Sequence, residues 1–160
     1  MNKLDIDRQI QDLVDRAPPN AGTQKAIARA VGPVLKGFAS RMQHLNYFLI
    51  RGRERGWMVT ALSNRTQPEI EKKVIYAFST ARDARGFSDD TKEKSKVESV
   101  PVTHILFQML ALQGVDSVVF METPGNFERG TEIRRVDLQE SIARQLQEKA
   151  RSRGIPPDLA

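Results

Sequence analysis

The sequence predicts a single α+β domain. Its expected sheet is antiparallel or mixed, with four to five strands, and is packed with two N-terminal helices and a C-terminal amphipathic helix. Three observations carry this. Residues 101–121, PVTHILFQMLALQGVDSVVFM, form the longest apolar run in the chain and read as a buried helix, a turn at Gly114 and a buried strand. Two aromatic and β-branched segments, LNYFLI and WMVTAL, flank a connection with glycine at both ends. Apolar stripes at helical spacing lie near both ends of the chain.

Composition sets the outer bounds. A chain of 160 residues can enclose one sizeable core. Hydrophobic residues at 39% and charged residues at 28% match a globular protein, which argues against a disordered chain. No apolar run approaches the roughly 20 residues that a membrane-spanning helix requires, and the opening MNKLDIDRQIQDL lacks the apolar centre of a signal peptide. With no cysteine, disulfides, thiolate nucleophiles and cysteine metal sites are excluded. A cytoplasmic location is the resulting expectation.

Taken in order, Ile6, Ile10, Leu13 and Val14 share one face of a first helix, which Pro18-Pro19 ends. Thr23 suits the N-cap of a second helix, whose stripe runs through Ile27, Val31, Val34, Leu35, Phe38 and Met42. Gly32-Pro33 predicts a break or kink in it, because an interior proline costs a helix about 3 kcal/mol. Ala28 and Gly32 also have the spacing of a helix-turn-helix, so 24–42 is a candidate for that motif, with Lys36 and Arg41 presented by its second helix. Against it, Pro33 follows the turn, and Arg41 falls where an apolar residue belongs.

A hairpin is then expected between Leu45–Ile50 and Trp57–Leu62, with Tyr47 and Trp57 facing the core. The segment 66–87 stays open. Thr66 and Glu69 would cap a helix, whereas KVIYAFS reads as a strand and is favoured on length and β-propensity, with Thr80 and Asp83 capping a short helix ARDARGF. Residues 88–99 contain one large apolar residue, Val97, and read as a mobile loop. After the apolar run, Pro124-Gly125-Asn126 marks a turn into a strand near Glu132–Val136. Asp137 then caps a helix with Leu138, Ile142, Leu146 and Ala150 on one face, and Gly154 stops it before a tail at 155–160.

The segments WMVTALSNRTQPEIEKKVIYAFST and PVTHILFQMLALQGVDSVVFMETPGN, with the ending IPPDLA, give the chain a resemblance to a family of small uncharacterised soluble cyanobacterial proteins. The resemblance covers about two thirds of the chain and implies no active site, so it assigns no residue a role.

Chemistry-bearing groups are sparse. His44 and His104 are the only histidines and lie far apart in sequence, without metal-ligand spacing. The acids Asp89-Asp90 fall in the expected loop. PGNFERG lacks the lysine and the glycine spacing of a phosphate loop, and it leads into a strand. No GxSxG elbow occurs. No catalytic, metal or cofactor residue is therefore nominated. The net charge of +5 is concentrated between Arg41 and Arg65, where five arginines face Glu54 alone. Arg51, Arg53, Arg55 and Arg65 are the candidate anion- or nucleic-acid-binding residues, with Tyr47 or Trp57 as stacking platforms if exposed. The expected function is a non-enzymatic binding or regulatory module engaging a protein partner, homodimer formation being one form of this. The alternative is a nucleic-acid-binding protein using the arginine tip or the segment 24–42, and an enzyme comes third.

Overall fold

The computed structural model describes residues 3–17, 21–52, 56–63, 65–67, 69–89 and 96–152. They form the expected α+β architecture around one mixed sheet of six strands. The strands are β1 (Asn46–Arg51), β2 (Thr60–Ser63), β3 (Glu71–Phe78), β4 (Lys96–Pro101), β5 (Ser117–Met121) and β6 (Thr131–Arg134). Their order is β4-β1-β3-β5-β6, with β2 beside the first half of β3. The pair β3–β5 is parallel and every other pair is antiparallel.

Period-two alternation gives the sheet two apolar faces. Tyr47, Leu49, Ile75, Ala77, Val118 and Phe120 point into the main core. Their neighbours Phe48, Ile50, Tyr76, Phe78, Val119 and Met121 point to the other side. The main core is closed by α1 (Lys3–Arg16), α3 (Gly32–Ala39), α5 (Val102–Met109) and α6 (Arg135–Ser152), through Ile6, Leu35, Ile105, Leu106, Met109 and Leu138. Among the described residues, the opposite face is met by a single helix, α4 (Ala81–Asp89), through Ala84 and Phe87.

Residues 101–121 behave as their pattern predicts. Five of the eight α5 residues are buried, the chain turns through Gly114, and β5 is buried at four of five positions. The open segment 71–78 is the strand β3, and Thr80 caps α4 by accepting a hydrogen bond from the Asp83 N–H at 3.1 Å. Tyr47 and Trp57 are both core residues, 0% and 8% exposed.

Four expectations are corrected. No break separates two helices in 24–42. The chain is continuously helical from α2 (Ala21–Ala26) through a π turn at Ile27–Val31 into α3. The Gly32 N–H reaches back five residues to the Ile27 carbonyl, and Pro33 sits in the first turn of α3, where a missing N–H is tolerated. Widening one turn thus accommodates the proline within a continuous helix, which leaves no turn for a helix-turn-helix. Helix α2 also starts two residues before Thr23.

Second, Leu45–Ile50 and Trp57–Leu62 do not pair as a hairpin. The chain reverses after Arg51, makes one antiparallel bridge at Arg51–Trp57, and then leaves to pair with β3. The long partner of β1 is β4, in register from Asn46–Pro101 to Arg51–Lys96. Third, β4 occupies the second half of the expected loop 88–99, whereas residues 90–95 lie outside the described set. An edge strand needs only one paired side, so a sparse pattern with Val97 and Val100 on opposite faces is enough. Fourth, the last strand stops at Arg134, and α6 begins at Arg135, ahead of Asp137. The tail 155–160 and the helix stop at Gly154 lie outside the described residues.

Phe120 is fully buried at the centre of the main core and packs edge-on against Tyr47, with ring centroids 4.8 Å apart. Phe120→Ala should therefore lower unfolding free energy by about 3–5 kcal/mol, read as a fall in the urea midpoint. A loss below about 1 kcal/mol would mean that this face is not the main core.

Candidate functional site

The second sheet face is unevenly covered, and this creates a cleft. Helix α4 packs on β1, β3 and β4, leaving the β5 side to the segment between β5 and β6. Between them lies a groove of about 440 Å³ lined by Tyr76, Phe78, Gly86, Phe87, Met121 and Phe127. That volume is in the range of small ligand sites.

Each wall follows from local sequence. Alternation along β3 places Tyr76 and Phe78 on this face together, and Met121 joins them from β5. Phe87 leans on both aromatic residues, with centroids 5.4 Å from Tyr76 and 5.4 Å from Phe78. Phe127 closes the far side, edge-on to Phe78 at 6.1 Å, and stays 49% exposed. These tilted and T-shaped arrangements are the favoured geometries for aromatic pairs.

Two glycines shape the groove. Nothing lies within 4 Å of where a Cβ of Gly86 would sit, so the missing side chain is open groove. Gly130 is the opposite case: a Cβ there would stand 2.5 Å from Val119 Cγ1, so only glycine lets the segment lie flat on β5. The same segment is tied to α4, because the Gly125 N–H donates to Asp83 Oδ2 at 2.9 Å. Gly125 has φ +79°, a conformation that glycine adopts without strain, and the Asn126 N–H closes the turn onto the Thr123 carbonyl.

Arg82, Arg85 and Arg129 border this region in sequence. Arg82 precedes Gly86 by one helical turn, and Arg129 lies two residues beyond Phe127. All three are exposed and have no side-chain partner among the described residues.

A second cluster lies at the carboxyl end of β5. The Tyr47 hydroxyl donates to Glu122 Oε1, the Gln43 N–H donates to Oε2 at 2.8 Å, and His44 Nε2–H donates to the Glu122 carbonyl at 2.9 Å. Burial, then the Glu122 carboxylate, pushes the Tyr47 hydroxyl far above its ordinary value, so it stays a neutral donor. With Tyr47 fully buried, this constellation acts as a strut between the start of β1 and the end of β5. His104 is likewise committed. Its Nε2–H donates to the Gln9 carbonyl at 3.1 Å, next to the Thr103 hydroxyl, which donates to Gln9 Oε1 at 2.8 Å.

The nominated arginines do not share one environment. Arg51 is paired with Glu98, through Nη2 at 2.6 Å and Nε at 3.1 Å, and Trp57 Nε1–H donates to the same carboxylate at 2.7 Å. Burial pushes the Glu98 carboxyl up, but the Arg51 and Trp57 hydrogen bonds outweigh it and hold the group below its usual range. Arg65 is exposed between β2 and β3. Arg53 and Arg55 lie outside the described residues. Buried Tyr47 and Trp57 offer no stacking platform. The aromatic platform present is Tyr76, Phe87 and Phe127. Sequence alternation in β3 holds its signal, but nothing local reveals that α4 covers only part of that face.

Among the described residues, no group of three or more His, Asp or Glu side chains is placed to hold a metal ion. No described helix is long and apolar enough to cross a membrane. Comparison of the chain with protein-family models and with curated proteins returns no match.

Two predictions follow from this geometry. Gly86→Ala should raise stability by about 0.5–1 kcal/mol through helix propensity, while Gly130→Ala should lower it by about 1–3 kcal/mol through overpacking against Val119. Urea unfolding of the pair checks this, and equal effects would mean that the two glycines do not differ as described. For Glu98, the folded-state pKa lies below the unfolded one, so its contribution is complete above the unfolded value and is lost as pH falls through the folded value. Stability should decline less between pH 7 and 3 in Glu98→Gln than in the wild type, as measured by urea midpoints across that range.

Proposed function

We propose that the protein is a non-enzymatic binding module that engages a protein partner through the aromatic groove between α4 and the 122–130 segment. The carrying observation is the groove itself, in which Tyr76, Phe87 and Phe127 border the open space left by Gly86, with Phe78 and Met121 buried behind them. Aromatic residues and methionine are enriched in the cores of protein interfaces and depleted elsewhere on surfaces. An anchor side chain entering such a cleft loses its water contact on all sides, which is where binding energy concentrates. Phe127, half-exposed at the rim, supplies an outer wall next to those on β3 and α4.

The alternative, nucleic-acid binding, has less support. Arg51 is occupied by Glu98, and the helical segment 24–42 has no turn to set one helix into a groove.

Gly86→Leu is the discriminating variant, since its side chain fills the groove while adding helix propensity to α4. A random-peptide display library selected on the wild type should yield sequences sharing an aromatic or large aliphatic anchor. Their binding should fall at least about tenfold on Gly86→Leu, a difference of 1.4 kcal/mol, while the unfolding midpoint of that variant stays at or above the wild-type value. Selected peptides that bind the folded blocked variant equally well would remove the groove as the recognition surface. Loss of self-association in sedimentation of the variant would instead identify the occupant as a second copy.

A further inference from the structure

The rim of the groove narrows the class of partner, an inference that rests on the groove being the recognition surface. Its aromatic lining carries no charge, so charge preference must be set at the edge. Three exposed arginines border the lining residues in sequence: Arg82 one turn before Gly86, Arg85 beside it, and Arg129 two residues after Phe127. None has an ion-pair or hydrogen-bond partner among the described residues for its guanidinium. Two of the nearby acids already accept hydrogen bonds. Asp83 accepts the Gly125 N–H, and Glu122 accepts from Tyr47 and Gln43. Glu128 presents an exposed carboxylate without a side-chain partner among the described residues.

The three guanidiniums that border the lining in sequence are therefore donors without acceptors among the described residues. Guanidinium is a planar fork of donors matched to carboxylate, and its charge cannot be titrated away near neutral pH. The apolar groove supplies anchorage without sign, and the arginines supply sign without anchorage. A basic or neutral flank would leave those donors facing water or a like charge.

We propose that the groove receives an acidic protein segment, with one aromatic or large aliphatic side chain seated against Tyr76, Phe87 and Phe127 and with flanking Asp or Glu side chains paired to Arg82 and Arg129. Glu128 opposes this pairing and tunes it down. Association is accelerated at low salt, since opposite charges steer the approach.

The test uses the full chain and four defined probes: a labelled pentapeptide Asp-Asp-Phe-Asp-Asp with blocked termini, its Lys-Lys-Phe-Lys-Lys and Asp-Asp-Ala-Asp-Asp counterparts, and phenylacetate. Fluorescence anisotropy and competition give the affinities. The acidic phenylalanine peptide should bind at least about tenfold tighter than the lysine peptide at low salt, the gap shrinking in 0.5 M salt. Replacing its phenylalanine by alanine should abolish binding. The double variant Arg82→Glu/Arg129→Glu should reverse the charge preference, and Glu128→Gln should strengthen binding of the acidic peptide. All arms should be lost on Gly86→Leu.

Equal binding of acidic and lysine peptides, both lost on Gly86→Leu, overturns the acidic-partner inference and leaves the groove as recognition surface. Binding unchanged on Gly86→Leu, or no binding by any peptide, overturns the groove reading and this inference together. Phenylacetate displacing the acidic peptide at lower concentration than the unlabelled peptide itself would overturn the protein-segment occupant in favour of a small aromatic acid.

Discussion

The structure depends on one constraint: β3 and β5 are parallel neighbours, apolar on both faces, and each face must be kept from water. Four helices, α1, α3, α5 and α6, satisfy this on one side. On the other, α4 has nine residues and is about 13 Å long and 10 Å wide, against about 19 Å between the axes of the outer strands. One helix of that size cannot cover the sheet. It sits over β1, β3 and β4, and the 122–130 segment folds down over β5 to meet it. What neither reaches is the aromatic groove. Fold and candidate site are therefore two consequences of the same shortage of cover.

Three carboxylates hold the strand ends that this arrangement requires. Glu98 accepts from Arg51 and Trp57, joining β4 to the turn after β1. Glu122 joins the end of β5 to the segment leading into β1. Glu132 accepts from Ser117 Oγ at 2.6 Å and pairs with Lys72, linking β6, β5 and β3. Burial pushes the Glu132 carboxyl up, and hydrogen bonds from Lys72 and Ser117 then hold it below its usual range. Each group satisfies donors from separate segments, so half-buried charges serve as joints where the chain changes direction. This answers the cost of burying a polar group by pairing it.

Much of the fold was legible because burial leaves periodic traces. Residues 101–121 announced a buried helix and strand through an unbroken apolar run, and the stripe Leu138–Ile142 announced α6. The hairpin expectation failed because LNYFLI and WMVTAL carry strand propensity without carrying the identity of their partners. Propensity reports a local preference, while pairing is a long-range choice, here β1 with β4 and β2 with β3. Strand β4 was missed because an edge strand with Val97 and Val100 as its only large aliphatic residues leaves too weak a trace. Pro33 suggested a break, but a π turn resolves the same missing N–H within a continuous helix.

The groove was the least legible feature, and for a physical reason. Sequence patterns record side chains that are present, whereas a groove consists of volume that is absent: no side chain at Gly86 and, among the described residues, no second helix beside α4. The alternation in β3 fixed Tyr76 and Phe78 to one face, yet burial and exposure of that face look identical in the sequence. The same geometry makes the groove suited to recognition. Tyr76 and Phe78 are held on a central strand and Phe87 on a helix capped by Thr80, so little ordering is left for a ligand to impose on those walls. Phe127 belongs to a segment fixed at Gly130 and by the Asp83–Gly125 hydrogen bond, with its ring left half in solvent. Walls held in this way would leave little conformational entropy to lose on association.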